Sequence, residues 1–308
     1  MRIAIMGSGG IGGYFGARLA LSGSDVTFIA RGRHLAAMRE HGLRIESELG
    51  DMHLTDVKAT DDPAAIGPVD LVIFGVKLWD TEDAARQILP LTQHGAAVVS
   101  FQNGVQKDDI LRGVLGEAPL IGGVSYIAAY IKEPGVISQT GKMQRLIFGE
   151  FDGSRSPRVE AFLKACEAAG IHAELSEDIR RVIWEKFVFL VGLSGSTSTV
   201  RLSIGPIRED PQSRAFLADL MREVIAVGRA HGVNLAESFA DDRLAFADSL
   251  PAAMTSSMHN DLEHGKPLEV PWLSGGVVAL GKAVGVPTPC NRAVADILAP
   301  HALGRAGA

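Results

Sequence analysis

The sequence predicts an α/β fold in two parts: a doubly wound, mostly parallel sheet, then an all-helical C-terminal domain. Three observations predict it. A β-rich run at Arg2–Met6 leads into Gly7-Ser8-Gly9-Gly10-Ile11-Gly12 and then into a helical stretch ending near Ser22. Short apolar runs of strand length then alternate with helical segments as far as residue 176. Beyond residue 176 only helical length and periodicity remain. Alternation of strand and helix is the pattern of parallel sheets with helices on both faces. The expected domains are therefore 1–176, of Rossmann type, and 177–308, all helical.

The elements follow in order. Asp25–Ala30 is a second strand, completing a strand–glycine turn–helix–strand unit of about 30 residues. Further strands are expected at Leu71–Val76, Ala96–Ser100 and Leu120–Tyr126, with a helix at Thr81–Leu89. Gln144–Gly149 and Ile171–Glu174 read as later strands flanking a helix at Pro157–Ala169. The second half reads as helices at Glu177–Ser194, Pro211–His231, Leu235–Ala247, Pro251–His264 and Pro271–Val284. Pro211, Pro251 and Pro271 are each expected in a first helical turn, where the missing N–H is harmless. Pro300–Ala308 is small and weakly patterned, and is expected to fray.

Composition narrows the function classes. Hydrophobic residues at 46% supply enough apolar material for a core, which argues against disorder. The net charge is -6 and no basic domain stands out, so a nucleic-acid partner is not expected. Cys166 and Cys290 form no CxxC, which excludes a disulfide framework and suits a reducing cytoplasm. The N-terminal apolar run is too short for a signal peptide. The longest apolar runs fall well below the roughly 20 residues needed to span a bilayer. No membrane partner and a cytoplasmic location are expected. His259 and His264 are five apart and do not share a helix face, so no metal site is expected. The chain has no GxSxG, which removes support for serine-hydrolase chemistry.

Gly7, Gly9 and Gly12 fit GxGxxG in the strand–turn–helix context that gives the pattern meaning. The first glycine makes the tight turn, the second lets the backbone approach a pyrophosphate, and the third packs helix on strand. With Gly10 and Ile11, the loop opens a helix whose N-terminal N–H groups favour an anion. The end of the second strand selects the dinucleotide. An NAD enzyme usually carries Asp or Glu there for the ribose 2′-hydroxyl. This chain has Ala30-Arg31-Gly32-Arg33. A guanidinium pairs with a 2′-phosphate and no carboxylate stands in that stretch, so the expected cofactor is NADP, bound as NADPH.

Five further residues carry candidate chemistry. Lys186 heads an apolar helical string, Trp184-Glu185-Lys186-Phe187-Val188-Phe189-Leu190. Desolvation would lower its pKa toward proton transfer, and equally its stem could pack while the ammonium reaches water. Glu269, between apolar neighbours, is a candidate acid–base or binding carboxylate or a helix-dipole partner. Ser257, in Thr255-Ser256-Ser257-Met258, is a ligand contact or a surface hydroxyl. Lys77 and Asn103 both follow strands, where open α/β sheets bind ligands.

In their order and spacing these pieces resemble the ketopantoate reductase (2-dehydropantoate 2-reductase) family over nearly the whole chain. The matching residues are Gly7-x-Gly9-x-x-Gly12, Arg31, Val76-Lys77, Gln102-Asn103-Gly104, Trp184-x-Lys186, and Ser256-Ser257-Met258 with Glu269. The resemblance implies NADPH-dependent reduction of a 2-oxo acid in a cleft between two domains. It implies Lys186 as general acid, with Glu269 holding the substrate hydroxyl and positioning Lys186. It implies Ser257 on the carboxylate, Asn103 between nicotinamide and substrate, and Arg31 and Lys77 on the cofactor. Family members carry asparagines four and eight residues after the lysine, where this chain has Leu190 and Ser194. Ser194 is kept as a candidate substrate contact. Pro271 stands where an acid is common and Ser274 where an asparagine is, so the preferred oxo acid is open. Two alternatives stand beside this reading. One is a β-hydroxyacid or glycerol-phosphate dehydrogenase-like oxidoreductase, against which Lys186 and Glu269 argue. The other is a non-catalytic NADPH-binding sensor. The partner expected is a small-molecule 2-oxo acid, and the apolar helical half leaves a homodimer open.

Overall fold

The computed structural model describes residues 1–305, so residues 306–308 of the expected tail lie outside the described residues. The chain forms two compact units. One holds Met1–Asn103 and Lys107–Val182; the other holds Gly104–Gln106 and the chain from Ile183 onward. The sequence changes texture at residue 176, and the units change over at Val182/Ile183.

The first unit begins with β1 (Arg2–Met6), α1 (Gly10–Leu21), β2 (Asp25–Ile29) and α2 (Gly32–His41). Then come β3 (Leu43–Ser47), β4 (Met52–Leu54), β5 (Lys58–Thr60) and β6 (Leu71–Phe74). They are followed by α3 (Thr81–Gln87), α4 (Leu89–Gln93), β7 (Ala97–Ser100), α5 (Lys107–Leu115), β8 (Leu120–Glu133) and β9 (Val136–Gly149). α6 (Pro157–Ala168) and β10 (His172–Leu175) close it. The strands β5-β2-β1-β6-β7-β8 pair in parallel in that order. Renumbered among themselves they run 3-2-1-4-5-6, the Rossmann order, with the reversal between β1 and β6.

Side-chain alternation explains why both faces are covered. Ile3 and Ile5 of β1 point to one core with Tyr14, Phe15, Phe28 and Phe148. Ala4 and Met6 point to the other, with Phe74, Ala85, Ile88 and Leu111. Three of the expected elements of this unit differ. The expected helix Thr81–Leu89 breaks at Ile88, because Pro90 in the first turn of α4 cannot donate a helical bond to the turn before it. The expected strands Leu120–Tyr126 and Gln144–Gly149 are the inner ends of a long antiparallel hairpin, β8 with β9. Its outer half continues the apolar run through Ile127-Ala128-Ala129-Tyr130-Ile131, with Tyr130 and Ile131 exposed on β8 and Val136 and Ile137 buried on β9. That hairpin recruits β3 and β10 in parallel, and β4 pairs antiparallel with β3. Helix α1 lies between the two sheet regions. Methyls placed on Gly13 and Gly16 would press on Ile137 of β9 and on Phe28 of β2.

The second unit is built on α7 (Ile179–Val200), whose first residues belong to the first unit. It continues with α8 (Ile204–Glu209), α9 (Pro211–Ala230), α10 (Phe239–Ser249), α11 (Ser257–Glu263), α12 (Ser274–Val284) and α13 (Pro289–Leu298). Pro211 sits in the first turn of α9, where Asp210 accepts from Ser213 N–H at 2.7 Å. Pro251 and Pro271 do not open helices. Residues 251–254 turn back to bond the start of α8, through Ile204 N–H to Met254 O and Gly205 N–H to Ala252 O. Around Pro271, Trp272 and Leu273 both donate to the carbonyl of Glu269, so α12 starts only at Ser274. The expected frayed tail is anchored over its described part. Leu268 N–H bonds Ala302 O, and Arg305 N–H bonds Gly265 O at 2.7 Å. Helix α13, unmarked in the sequence reading, is capped from outside: Glu223 of α9 accepts from the N–H groups of Cys290 and Asn291 at 2.7 and 2.9 Å. No helix of the described residues is long and apolar enough to cross a membrane.

Candidate active site

The glycine loop lies at the sheet's reversal point. Gly7 and Ser8 both donate to the carbonyl of Ile29, joining the loop to the end of β2. Gly7 has φ +95°, and a methyl on it would stand 2.7 Å from Val76 N, so the loops after β1 and β6 meet there. A methyl on Gly12 would stand 2.2 Å from Gly7 O, and one on Gly10 2.1 Å from Ala129 O. Gly9 is different: among the described residues, no atom beyond its immediate chain neighbours and own helix backbone lies within 4 Å of a methyl placed there. Gly9 is the N-cap of α1, no side chain caps that end, and the first turn holds no acid. Half-buried Ile11 follows in that turn. The cradle is open at the one glycine that must admit a ligand and closed at the others. It fits a pyrophosphate on the helix N-terminus.

Arg31 is the N-cap of α2. Its Nη2 lies 3.0 Å from Oδ2 of Asp80, with the two side chains 72% and 37% exposed. Lys77 precedes a short turn, Leu78–Asp80, and its Nζ lies 5.6 Å from the centre of the Trp79 ring. His34, in the first turn of α2, bonds Ser8 O through Nε2 at 2.9 Å and accepts Gly135 N–H at Nδ1 at 3.0 Å. Burial holds its pKa below the ordinary value, opposed by the bond to Ser8. Asn103 follows buried Gln102, whose Nε2 donates to Val76 O at 2.9 Å and to Thr81 Oγ1 at 2.8 Å. That amide joins the loops after β6 and β7, the loops carrying Lys77 and Asn103. Below them the wholly buried Lys107 donates to Ser100 O and to both oxygens of Asp108, the latter at 2.8 and 3.0 Å.

In the second unit, α7 is the spine. Trp184 anchors it, stacked on His231 with centroids 6.1 Å apart and edge-on to Phe187 at 5.8 Å. Lys186 lies two residues on, half-buried, with Leu190, Ser194 and Ser198 at successive i+4 positions on the same stripe. Glu269 is buried between Leu268 and Val270 in the turn before α12. Two contacts tie other candidates to α7. Thr197 Oγ1 lies 3.2 Å from Ser256 Oγ, and Ser256 caps α11 through His259 N–H at 3.0 Å. Exposed Ser257 is the first residue of that helix. Ser274 Oγ lies 3.5 Å from a methyl placed on Gly195, next to Ser194. Ser194 and Ser274 are fully buried, and neither hydroxyl has a hydrogen-bond partner among the described residues.

The structure thus groups Gly7, Gly9, Gly10, Ile11, Gly12, Arg31, Lys77 and Asn103 at the carboxyl end of the first unit's sheet. In the second unit Lys186 and Ser194 lie on one stripe of α7, Ser257 follows Ser256, which meets Thr197 of α7, and Glu269 lies in the turn before α12. His259 and His264 each bond a backbone carbonyl through Nδ1. Both thiols are raised: Cys166 by burial, and Cys290 to about 11 by burial and the Glu223 carboxylate. Two residues of the cofactor region escaped the sequence reading. His34 sits three residues after Arg31 with nothing local to mark its bond to Ser8. Asp80 lies far from Arg31 in sequence, and only the β1–β6 reversal brings them together.

Residues 3–153 match the family described as ketopantoate reductase PanE/ApbA, and residues 178–302 match its C-terminal part. A 2-dehydropantoate 2-reductase of Mesorhizobium japonicum is 32% identical, covering 99% of both chains. One from Halobacterium salinarum is 31% identical over 97% of this chain and 98% of its own. The crystal structure of 2-dehydropantoate 2-reductase from Geobacter metallireducens superposes with TM-score 0.90 at 33% identity, covering 97% of this chain and 99% of the other. A D-mandelate dehydrogenase bound to NADH and anilino(oxo)acetate shares the fold, with TM-score 0.89 at 20% identity over 98% of each chain. With both halves matched in sequence and in fold, the chain belongs to the ketopantoate reductase family of oxidoreductases.

Proposed function

We propose that this protein uses NADPH to reduce a 2-oxo acid to the 2-hydroxy acid, with 2-dehydropantoate or a close analogue as substrate. The observation that carries this reading is the retention of Lys186 and Glu269, the family's acid and its partner, in a chain whose two halves both match the family. Residues 1–176 take the cofactor and residues 177–308 the substrate and the proton chemistry.

The bound nicotinamide supplies the hydride; the residues supply binding, orientation and a proton. The Gly9–Gly12 segment holds the pyrophosphate, Arg31 and Lys77 the 2′-phosphate side, and Asn103 the nicotinamide end. Lys186 Nζ donates a proton to the carbonyl oxygen as that oxygen becomes an alkoxide. Glu269 accepts from the resulting hydroxyl and fixes Lys186. Ser257 and Ser194 take the substrate's polar groups. Leu190 offers methyl groups where an amide would offer a donor and an acceptor. The preferred substrate therefore has a more apolar side chain at that point than 2-dehydropantoate.

The test follows NADPH oxidation by absorbance with a panel of 2-oxo acids, beside NADH and a Lys186→Ala control. Turnover restricted to 2-oxo acids and abolished in the control is expected. Wild-type turnover in the control would remove Lys186 from the acid role. Cofactor binding with no turnover on any 2-oxo acid would favour a sensor. Efficiency on 2-dehydropantoate far above every other acid would overturn the shifted preference.

A further inference from the structure

Asp80 stands at the N-cap of α3, where an aspartate normally accepts N–H groups of the first helical turn. It makes no such bond. Its carboxylate instead reaches Arg31 on α2, Oδ2 to Nη2 at 3.0 Å. The helix does not lack acids for its first turn, since Glu82 and Asp83 follow. Asp80 therefore occupies an acceptor position on the guanidinium that the proposed function gives to the 2′-phosphate. The pair is open to water, with Arg31 72% exposed, so the carboxylate is displaceable and not locked in.

We infer that Asp80 is a cofactor-selectivity residue: its carboxylate competes with the 2′-phosphate of NADPH for Arg31 and narrows the preference for NADPH over NADH. This rests on the reading of Arg31 as the 2′-phosphate contact. The physical cause has two parts. Binding NADPH must break or share the Arg31–Asp80 pair, and it brings a phosphate anion toward a neighbouring carboxylate, a like-charge contact. NADH carries a neutral 2′-hydroxyl there and meets no such repulsion. Lys77, on the turn that ends at Asp80, offsets part of the negative charge for either cofactor.

The experiment is calorimetric titration of the full chain with NADPH and with NADH, in the absence of substrate. The variants are Asp80→Asn, Asp80→Ser, Arg31→Ala, the Arg31→Ala/Asp80→Asn double and Glu82→Gln. Glu82 pairs with Arg86 on the exposed side of α3 and controls for net charge. Asp80→Asn and Asp80→Ser should each tighten NADPH roughly threefold to tenfold, with NADH changed by less than about twofold. The gain should vanish in the Arg31→Ala background. Unchanged or weaker NADPH binding in both Asp80 variants would overturn the inference, and so would an equal gain in Glu82→Gln. If Arg31→Ala weakens NADPH and NADH equally, the 2′-phosphate reading itself fails and the competition falls with it. If Arg31→Ala is selective for NADPH while the Asp80 variants change nothing, only the inference fails.

Discussion

His34 holds the glycine loop by its backbone: Nε2 donates to the carbonyl of Ser8 at 2.9 Å. The proton is on Nε2 because Nδ1 accepts the Gly135 N–H at 3.0 Å. One neutral imidazole thus joins the loop after β1, the helix α2 that carries Arg31, and the tip of the β8–β9 hairpin. Protonation would put a donor opposite Gly135 N–H and break that contact.

The sign of the pH effect follows from burial, which holds the folded pKa below the ordinary value of 6.5. The neutral form is favoured by the fold, so the contribution is complete above 6.5 and is lost as pH falls through the lower folded value. Thermal melts of the wild type should lose stability below pH 6.5 more steeply than those of His34→Gln. The glutamine amide can give one hydrogen bond and take the other without titrating. His34→Ala, losing both bonds, should cost about 1–3 kcal/mol and weaken cofactor binding. Matching pH profiles for wild type and His34→Gln would remove His34 from this role.

The glycines of the loop should separate in their response to a single methyl. Gly9→Ala meets nothing among the described residues within 4 Å beyond its chain neighbours and own helix backbone, so its melting temperature should match wild type while cofactor affinity falls. Gly12→Ala places a methyl 2.2 Å from Gly7 O, a clash of backbone with backbone, so stability itself should fall by about 1–3 kcal/mol. Melts and calorimetric titration of both variants read the difference. Full cofactor affinity in Gly9→Ala would place the pyrophosphate elsewhere.

Lys107 and Asp108 form an ion pair with side chains 0% and 9% exposed. Asp108→Ala leaves a buried ammonium with only the Ser100 carbonyl, at 3.2 Å, and should cost about 3–5 kcal/mol. Lys107→Met with Asp108→Leu removes both charges and should be far milder. Denaturant melts of the three proteins give the comparison. A double variant as unstable as Asp108→Ala would show that the charges themselves hold the loop before Asn103.

For the chemistry, Lys186→Ala should lower kcat about a hundredfold to ten-thousandfold while leaving the dissociation constant for NADPH within about twofold. Glu269→Gln keeps the shape of the side chain and removes the charge, so its loss should fall on kcat with the 2-oxo acid and not on cofactor binding. Single-turnover absorbance and calorimetry separate the two effects. A Lys186→Ala variant defective in NADPH binding and normal in turnover would reverse the assignment.

The local determinants of the fold were legible because they are short-range. Arg2–Met6, the three glycines and Asp25–Ile29 lie within one strand–turn–helix–strand unit, and strand alternation in Ile3 and Ile5 against Ala4 and Met6 shows both faces covered. The strand β3 also carries a period-2 signal, with Leu43 and Ile45 buried between exposed Arg44 and Glu46. The outer half of β8 carries none, since Ile127-Ala128-Ala129-Tyr130-Ile131 is a continuous apolar run without alternation and its pairing comes from β9. Pro251 and Pro271 misled because the proline preference for a first helical turn is satisfied equally by a tight turn.

The sequence by itself determined the loop that can cradle a pyrophosphate, the cation at the end of β2, and the lysine and glutamate of the helical half, because each is written in residue type and local spacing. Only the tertiary structure decided which groups those residues meet. Asp80 on Arg31, His34 on Ser8, Gln102 between two loops and Ser274 beside Gly195 are contacts across long stretches of chain. Each is set by strand order and helix packing, and no local pattern encodes them. The electrostatics of the cofactor region follows from such contacts, since the effect of one charge on another depends on distance and burial and not on separation along the chain.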